Sequence, residues 1–175
     1  MEAIAQYFAE HPQVRIQAVY CNNPKAGVIA RAERLGIPLR VFDREEYRSG
    51  MVLEELKAMP CDLIVLAGFL WLIPADWVAT FPLRILNLHP ALLPKFGGKG
   101  MYGHHVHEAV IAQGEKESGI SIHWVNEHYD EGAMVFQAKY SIGPEDTPES
   151  IAKKGQALEH EHFPKVIAGL LFPPA

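Results

Sequence analysis

An asparagine and a histidine stand two positions apart at the end of an apolar segment of this sequence. The segment reads "ILNLHP", residues 85–90, and carries Asn87 and His89 directly before a proline. Because successive side chains of a strand point to opposite faces, these two polar side chains share one face and the leucines beside them share the other. Such a pair can hydrogen-bond to neighbouring backbone inside a core or can face a ligand, and the two residues alone leave both alternatives open.

Asp130, in the polar turn "NEHYDEG", adds a carboxylate to this pair. A turn carboxylate is ordinarily solvated. With Asn87 and His89, however, it completes a set: an amide donor, a group that titrates near neutral pH, and a partner that raises the pKa of the histidine. When an amine attacks a carbonyl, the oxygen gains negative charge and the nitrogen must lose a proton. Asn87 and protonated His89 could stabilise the oxyanion while Asp130 handles the proton, so the set predicts acyl transfer without a covalent nucleophile.

Two other motifs are weaker candidates for chemistry. "HHVH", residues 104–107, has no common zinc-ligand spacing, and "GGKG", residues 97–100, lacks the spacing of a phosphate-binding loop. The sequence therefore predicts no metal site, and it predicts a flexible loop around the glycines. His123 alternates with Ser121 in "SIHWV" and could face either the site or the solvent.

Strands alternate with helices over the first half of the chain, which indicates a parallel sheet covered by helices on both faces. The pattern predicts, in order, helix 1–11, strand 14–24, helix 26–36 with Gly36 as its stop, strand 39–43, helix 44–60, strand 61–69, helix 74–82 and strand 84–90.

The second half begins with a glycine-rich loop, residues 92–103. The pattern then predicts helix 104–115, an antiparallel hairpin of strands 119–125 and 133–142, and a long helix 147–172. Thr147 can cap this last helix, and Pro164 should kink or restart it. The predicted fold is a doubly wound, Rossmann-like α/β fold with a mostly parallel sheet and a C-terminal antiparallel hairpin.

Composition limits the class of protein. A chain of 175 residues with 49 % hydrophobic content predicts one domain, residues 1–175. The net charge of −5, spread over both signs, disfavours a nucleic-acid partner, and no apolar run approaches the roughly 20 residues of a membrane span. Cys21 and Cys61 are too few for a disulfide framework, and the chain has no secretory leader, so we expect a cytoplasmic protein that is a monomer or a homodimer.

The start of the chain departs from the usual pattern of such folds. Doubly wound sheets usually begin with a strand whose glycine-rich loop holds a phosphate at the N-terminus of the first helix. Because Met1 stands where that helix begins, we expect that the first strand and the phosphate loop are missing and that the domain is N-terminally incomplete.

The sequence also resembles a known family, the formyltransferases that use 10-formyltetrahydrofolate. The resemblance rests on "ILNLHPALLPKF", "SIHWVNEHYDEGAMVFQ", "DLIVLAGFLWLIP" and "GQALEHEHFP", which follow the family's motifs in order over nearly the whole chain. It implies a formyl transfer from 10-formyltetrahydrofolate to the amino group of glycinamide ribonucleotide, a step of purine synthesis. It also implies that Asn87, His89 and Asp130 are the catalytic residues, and that the partners are these small molecules.

The resemblance further implies two groups of binding residues. Those of the folate pocket are Arg44, Trp71, Leu72, Ile73, Val78, His123, Val125, Asn126, Glu127 and Tyr129. Those that contact the ribonucleotide are Leu70, Leu88, Pro90, Gln156 and Glu159. Trp71 stands where a bacterial relative has arginine, so a stacking contact with the folate is expected in place of a hydrogen bond.

Two alternative functions remain beside the transferase, and a third is discounted. A formyltetrahydrofolate deformylase would use the same three residues with water as the nucleophile. An inactive folate-binding protein would follow if the phosphate loop were truly lost. A formyltransferase acting on aminoacylated tRNA would need a basic surface and a nucleic-acid-binding domain, which the net charge disfavours.

Overall fold

The structure is a computed structural model that describes residues 1–173. Helices and strands alternate through the chain, which confirms the predicted α/β class. The chain divides into two compact units, one of residues Met1–Asp62 and one that starts at Leu63.

The first unit is built around a pair of short parallel strands. Its elements are α1 (Glu2–Tyr7), β1 (Val19–Cys21), α2 (Val28–Arg34), β2 (Leu39–Val41), α3 (Arg44–Arg48) and α4 (Met51–Ala58). Strand β1 is shorter than the predicted strand 14–24 because only its three residues pair with β2. Arg40 on β2 ties the strand to both following helices through ion pairs with Glu46 at 2.6 Å and Glu55 at 3.0 Å.

The single helix predicted over 44–60 is wrong, because two helices occupy this segment. Asp43 caps the first helix in a capping box with Glu46. The break falls at Gly50, whose φ of 82° lies in the left-handed region that only glycine adopts readily. Val52, Leu53 and Leu56 form a buried face on the second helix with the spacing typical of helices. This helical spacing of apolar residues hides the break at Gly50 when only the sequence is considered.

The second unit contains a four-stranded sheet in the order β3-β4-β5-β6. Its elements are β3 (Ile64–Leu66), α5 (Ala75–Thr80), β4 (Ile85–His89), α6 (His104–Ala112), β5 (Glu117–Trp124), β6 (Met134–Ser141) and α7 (Pro148–Leu171). Strands β3 and β4 are parallel. The predicted antiparallel hairpin of β5 and β6 is confirmed, and β4 also pairs with β5 in antiparallel fashion.

Strand β4 is an inner strand with an apolar start and a polar end. Ile85 and Leu86 are almost completely buried, as expected for a strand with a neighbour on each side. A cluster of Ala91, Val106 and Val110 forms a core where the chain leaves β4 and passes into α6. This packing fixes the carboxyl end of β4, where the two polar residues lie.

Helix α7 runs as one helix through Pro164, so of the predicted kink or restart at this proline the restart does not occur. Thr147 caps the helix in a capping box with Ser150, as its position in the sequence predicts. Pro164 is itself buried and lies in the body of the helix. Packing of the surrounding apolar face therefore stabilises the helix despite the backbone hydrogen bond that a proline cannot donate.

None of the helices within residues 1–173 is both long enough and apolar enough to cross a membrane.

Candidate active site

The pairing of β4 with β5 brings four polar side chains to one place. Asn87 lies opposite His123, and His89 lies opposite Ser121, in the register of the two antiparallel strands. Side chains of directly opposed residues are neighbours on the same face of a sheet. His89, Ser121 and His123 are buried and Asn87 is half-buried, so these four side chains are largely shielded from solvent.

His89 is held through both of its ring nitrogens. Its Nε2 lies 2.8 Å from the carbonyl oxygen of Phe96, and its Nδ1 lies 3.5 Å from Oδ2 of Asp130. Because a carbonyl can only accept, Nε2 carries the hydrogen and donates it to Phe96. In the neutral imidazole Nδ1 is therefore the unprotonated nitrogen, and it faces the carboxylate.

Asp130 is held by backbone as well as by side chains. The amide of Gly98 donates to its Oδ2 at 2.9 Å, and His123 Nε2 lies 3.6 Å from its Oδ1. The residue has a φ of 60°, a left-handed conformation that aspartate tolerates better than most residues. Burial acts to raise the pKa of this carboxyl, but its contacts with His123 and His89, which are attractive when a ring is protonated, and the Gly98 amide lower it below its ordinary value, so Asp130 is ionised.

Burial also sets the resting state of His89. Removal from water disfavours the charged imidazolium and lowers the pKa of His89, and the nearby Asp130 carboxylate opposes this only in part. A neutral imidazole is therefore favoured at rest, a state that the sequence left open. An imidazolium that forms there during a reaction is stabilised by the ion pair with Asp130.

Asn87 is oriented by His123. Nδ1 of His123 lies 2.9 Å from the carbonyl oxygen of Trp124 and must donate to it, which leaves Nε2 of the neutral ring as an acceptor. Nδ2 of Asn87, 3.1 Å away, donates one of its two hydrogens to this nitrogen. The second amide hydrogen remains for an oxygen of a ligand.

Ser121 and the backbone of residues 96–98 were not singled out from the sequence. The hydroxyl of Ser121 donates to Ala91 at 2.6 Å and accepts from the Leu93 amide at 2.9 Å, and Gln137 donates to it at 2.8 Å. These bonds hold in place the segment whose Phe96 and Gly98 contact His89 and Asp130. The alternation of Ser121 with His123 is a signal for the serine, but backbone donors and acceptors have no signal in residue types.

A cavity of about 230 Å³ lies beside the loop that carries Asp130. It is lined by Leu72, Gly98, Lys99, Glu127, His128, Tyr129 and Glu131. Three of these residues, Leu72, Glu127 and Tyr129, belong to the predicted folate pocket. The sequence did not indicate Lys99, His128 or Glu131.

The remaining predicted folate residues are more scattered. Trp71 packs edge-on against Phe69 with ring centroids 5.9 Å apart, Ile73 is buried, and Val78 is half-buried on α5. Val125 donates its amide to Ile85, and Asn126 accepts the amide of His128. Arg44 starts α3 in the first unit. The roles of these residues stay predictions.

The predicted ribonucleotide residues lie on three segments of the second unit. Leu70 is exposed, whereas Leu88 and Pro90 are half-buried at the end of β4. Gln156 and Glu159 lie on α7, where burial raises the pKa of the Glu159 carboxyl. Their contacts with a ribonucleotide also stay predictions.

No group of three or more histidine, cysteine, aspartate or glutamate side chains within residues 1–173 is arranged to hold a metal ion.

Comparisons with known proteins show which family the chain resembles. The family model described as formyl transferase matches residues 2–167. The phosphoribosylglycinamide formyltransferase of Haemophilus influenzae is 35 % identical over 158 residues, which cover 87 % of this chain and 72 % of that protein. The chloroplastic phosphoribosylglycinamide formyltransferase of Arabidopsis thaliana is 41 % identical over 155 residues, or 85 % of this chain and 53 % of that protein.

Solved structures are similar over almost the whole chain. The crystal structure of phosphoribosylglycinamide formyltransferase from Anaplasma phagocytophilum aligns with a TM-score of 0.86 at 33 % identity, covering 95 % of this chain and 78 % of that one. The chain nevertheless spans only about half the length of the plant relatives, 53 % and 51 %. On the match to the family model and the identity to relatives that it largely covers, the chain belongs to the formyl transferase family.

Proposed function

We propose that this protein transfers the formyl group of 10-formyltetrahydrofolate to the amino group of glycinamide ribonucleotide. The products are N-formylglycinamide ribonucleotide and tetrahydrofolate, and the reaction belongs to purine synthesis. The observation that carries the proposal is the contact of buried His89 with Asp130 at 3.5 Å, beside an oriented Asn87. The names of the relatives support the choice of substrates.

The attacking amine must lose a proton as it forms the new bond to the formyl carbon. Nδ1 of neutral His89 is the nitrogen able to accept that proton, because Nε2 donates to Phe96. Asp130 stabilises the resulting imidazolium, and its own charge is held in place by the Gly98 amide. The imidazolium can then return the proton to the nitrogen of the folate when the bond between that nitrogen and the formyl carbon breaks.

The formyl oxygen gains negative charge in the tetrahedral intermediate. The free amide hydrogen of Asn87 is positioned to donate to this oxygen, since His123 holds the other hydrogen. The positive charge of the His89 imidazolium adds electrostatic stabilisation of this oxygen once it has formed. No covalent intermediate with the protein is required.

The proposal is tested by mixing the full chain with 10-formyltetrahydrofolate, with and without glycinamide ribonucleotide, and measuring tetrahydrofolate release. Release that requires the ribonucleotide supports the transferase. Release at the same rate without ribonucleotide would instead indicate a deformylase. Binding of the folate with no release in either mixture would indicate a folate-binding protein.

Two further properties of the protein stay predictions. These are the cytoplasmic location and the choice between monomer and homodimer. Size-exclusion chromatography with light scattering addresses the second directly.

A further inference from the structure

Lys99 is an unpaired cation on the wall of the cavity beside Asp130. Its side chain is exposed and makes no hydrogen bond or ion pair with any described residue. Lys95, four positions earlier, pairs instead with Glu115 at 2.7 Å. Unpaired lysines on open surface are common, but this one lines a cavity at the candidate active site.

The positive and the negative side chains that line the cavity come from different segments of the chain. The amide of Gly98 donates to Asp130, and Lys99 is the next residue in the chain. The lysine therefore lies one residue from a direct contact of this carboxylate. Glu127 and Glu131 also line the cavity and form no ion pair with any residue from 1 to 173. A ligand with hydrogen-bond donors for the carboxylates and an anionic group for the lysine would match these charges.

The formyl donor of the proposed reaction has this distribution of groups. Its pterin ring presents N–H donors, its middle is an aromatic ring, and its glutamate tail ends in carboxylates. The carboxylates of the 127–131 segment suit the N–H groups, and Leu72 offers an apolar contact for a ring.

We propose that Lys99 binds a carboxylate of the glutamate tail of the formyl donor, so that donor affinity depends on the tail. This inference rests on the proposed function. It assigns to Lys99 the role of distinguishing folates by the carboxylates of their glutamate tail.

Lys99 is well suited to substitution. Its neighbours Gly98 and Gly100 have φ values of 95° and 90°, so the unusual backbone of the loop depends on the glycines and not on the lysine. Lys99→Gln removes the charge and keeps most of the side chain, and Lys99→Arg keeps the charge. Lys116→Gln is the matched control, because Lys116 is exposed on the same unit and does not line the cavity.

The experiment measures, by titration calorimetry on the full chain, the affinity for three pterins that differ only in their tails. These are tetrahydropteroate without glutamate, tetrahydrofolate with one glutamate, and its triglutamate. Lys99→Gln should weaken both glutamate-bearing ligands on the order of three- to tenfold and leave tetrahydropteroate unchanged. Lys99→Arg should restore the affinity, and Lys116→Gln should behave as wild type.

An equal loss for all three pterins, or no loss for any, would overturn the role of Lys99. So would a loss confined to the affinity for glycinamide ribonucleotide or inorganic phosphate, measured in the same way. If the wild-type chain binds none of the pterins, the proposed function itself fails, and the inference fails with it.

Discussion

At the scale of single residues, the site works through the number of hydrogens that each group can donate. Phe96 and Trp124 each present a carbonyl that can only accept, and these two carbonyls fix which nitrogens of His89 and His123 carry hydrogens. His123 in turn holds one hydrogen of Asn87. Two backbone oxygens thus determine that His89 can accept a proton and that Asn87 can donate a hydrogen bond.

Loss of the Asn87 amide tests the oxyanion role. Asn87→Ala removes the neutral donor to the formyl oxygen and should lower kcat on the order of 10²- to 10³-fold. Folate affinity should change little, because the donor matters most when charge develops. Steady-state kinetics and folate titration measure the two effects, with Asn22→Ala in the first unit as a control for the truncation. Near-normal turnover in Asn87→Ala with folate binding kept would contradict the assigned role.

The acidic limb of the pH profile tests the proton role of His89. In the proposed mechanism the neutral imidazole accepts the proton, and burial lowers its pKa, so kcat/KM should fall with decreasing pH only below about 6.5, the ordinary pKa of histidine. Asp130 raises the pKa of His89, so Asp130→Asn should move this limb to still lower pH as well as reduce the rate. Histidine NMR titration checks the same shift without turnover. The control Glu33→Gln should leave the limb in place, and an Asp130→Asn limb at higher pH would exclude the ion pair as the cause.

At the scale of elements, strand alternation alone predicts that Asn87 and His89 share a face, and it predicts the hairpin that follows. The antiparallel pairing of β4 with β5 could not be read in the same way, because its partners are more than 30 residues apart and nothing in either strand specifies the register. The Gly98 amide was missed for a related reason, since every residue except proline has one. Residue types therefore predict which polar side chains come together better than they predict the backbone groups that hold them.

The turn that carries Asp130 depends on Gly132. A Cβ at this position would lie 1.7 Å from the carbonyl oxygen of Trp124, which is backbone and cannot move aside alone. Gly132→Ala should therefore shift the 125–132 segment, destabilise the protein by about 1–3 kcal/mol and displace Asp130 from His89. A displacement of this kind should reduce kcat about 10- to 100-fold.

Denaturant unfolding and kinetics of Gly132→Ala check both effects. Gly143→Ala is the matched control, because its Cβ would meet only Asp146 at 3.8 Å, an ordinary contact. Wild-type stability and turnover in Gly132→Ala would show that the turn tolerates the methyl group and that Asp130 is positioned by other contacts.

At the scale of the whole molecule, the shifted pKa values predict how stability depends on pH. His89 and His107 are buried with lowered pKa values, so the unfolded chain binds their protons more readily than the folded one. Their contribution to stability is present above pH 6.5 and is lost as the pH falls below it. Asp130 and Asp146 also have lowered pKa values, and their contribution is present above about pH 4 and is lost at lower pH. Stability should therefore decline in two steps on acidification.

The second step can be assigned with Asp146, which lies before α7 and is bound by three groups. Lys154 at 2.6 Å, the Ser150 hydroxyl at 2.7 Å and the Gly143 amide at 2.8 Å hold its pKa at about 2. Asp146→Asn removes this charge, so the variant should be less stable than wild type at neutral pH by a constant margin down to about pH 4. Between pH 4 and 2 the margin should shrink, because wild-type Asp146 itself becomes protonated.

Unfolding free energies of both proteins, measured by denaturant titration from pH 7 to the lowest pH at which a folded baseline remains, give the margin directly. The neighbouring Glu145→Gln is the matched control, because Glu145 makes no hydrogen bond or ion pair with any described residue and its loss should not change the curve. A margin that stayed constant through pH 4 to 2 would mean that the Asp146 charge does not stabilise the fold. A margin that already shrank between pH 7 and 5 would assign the effect to histidines, because no carboxylate with a lowered pKa titrates in that range.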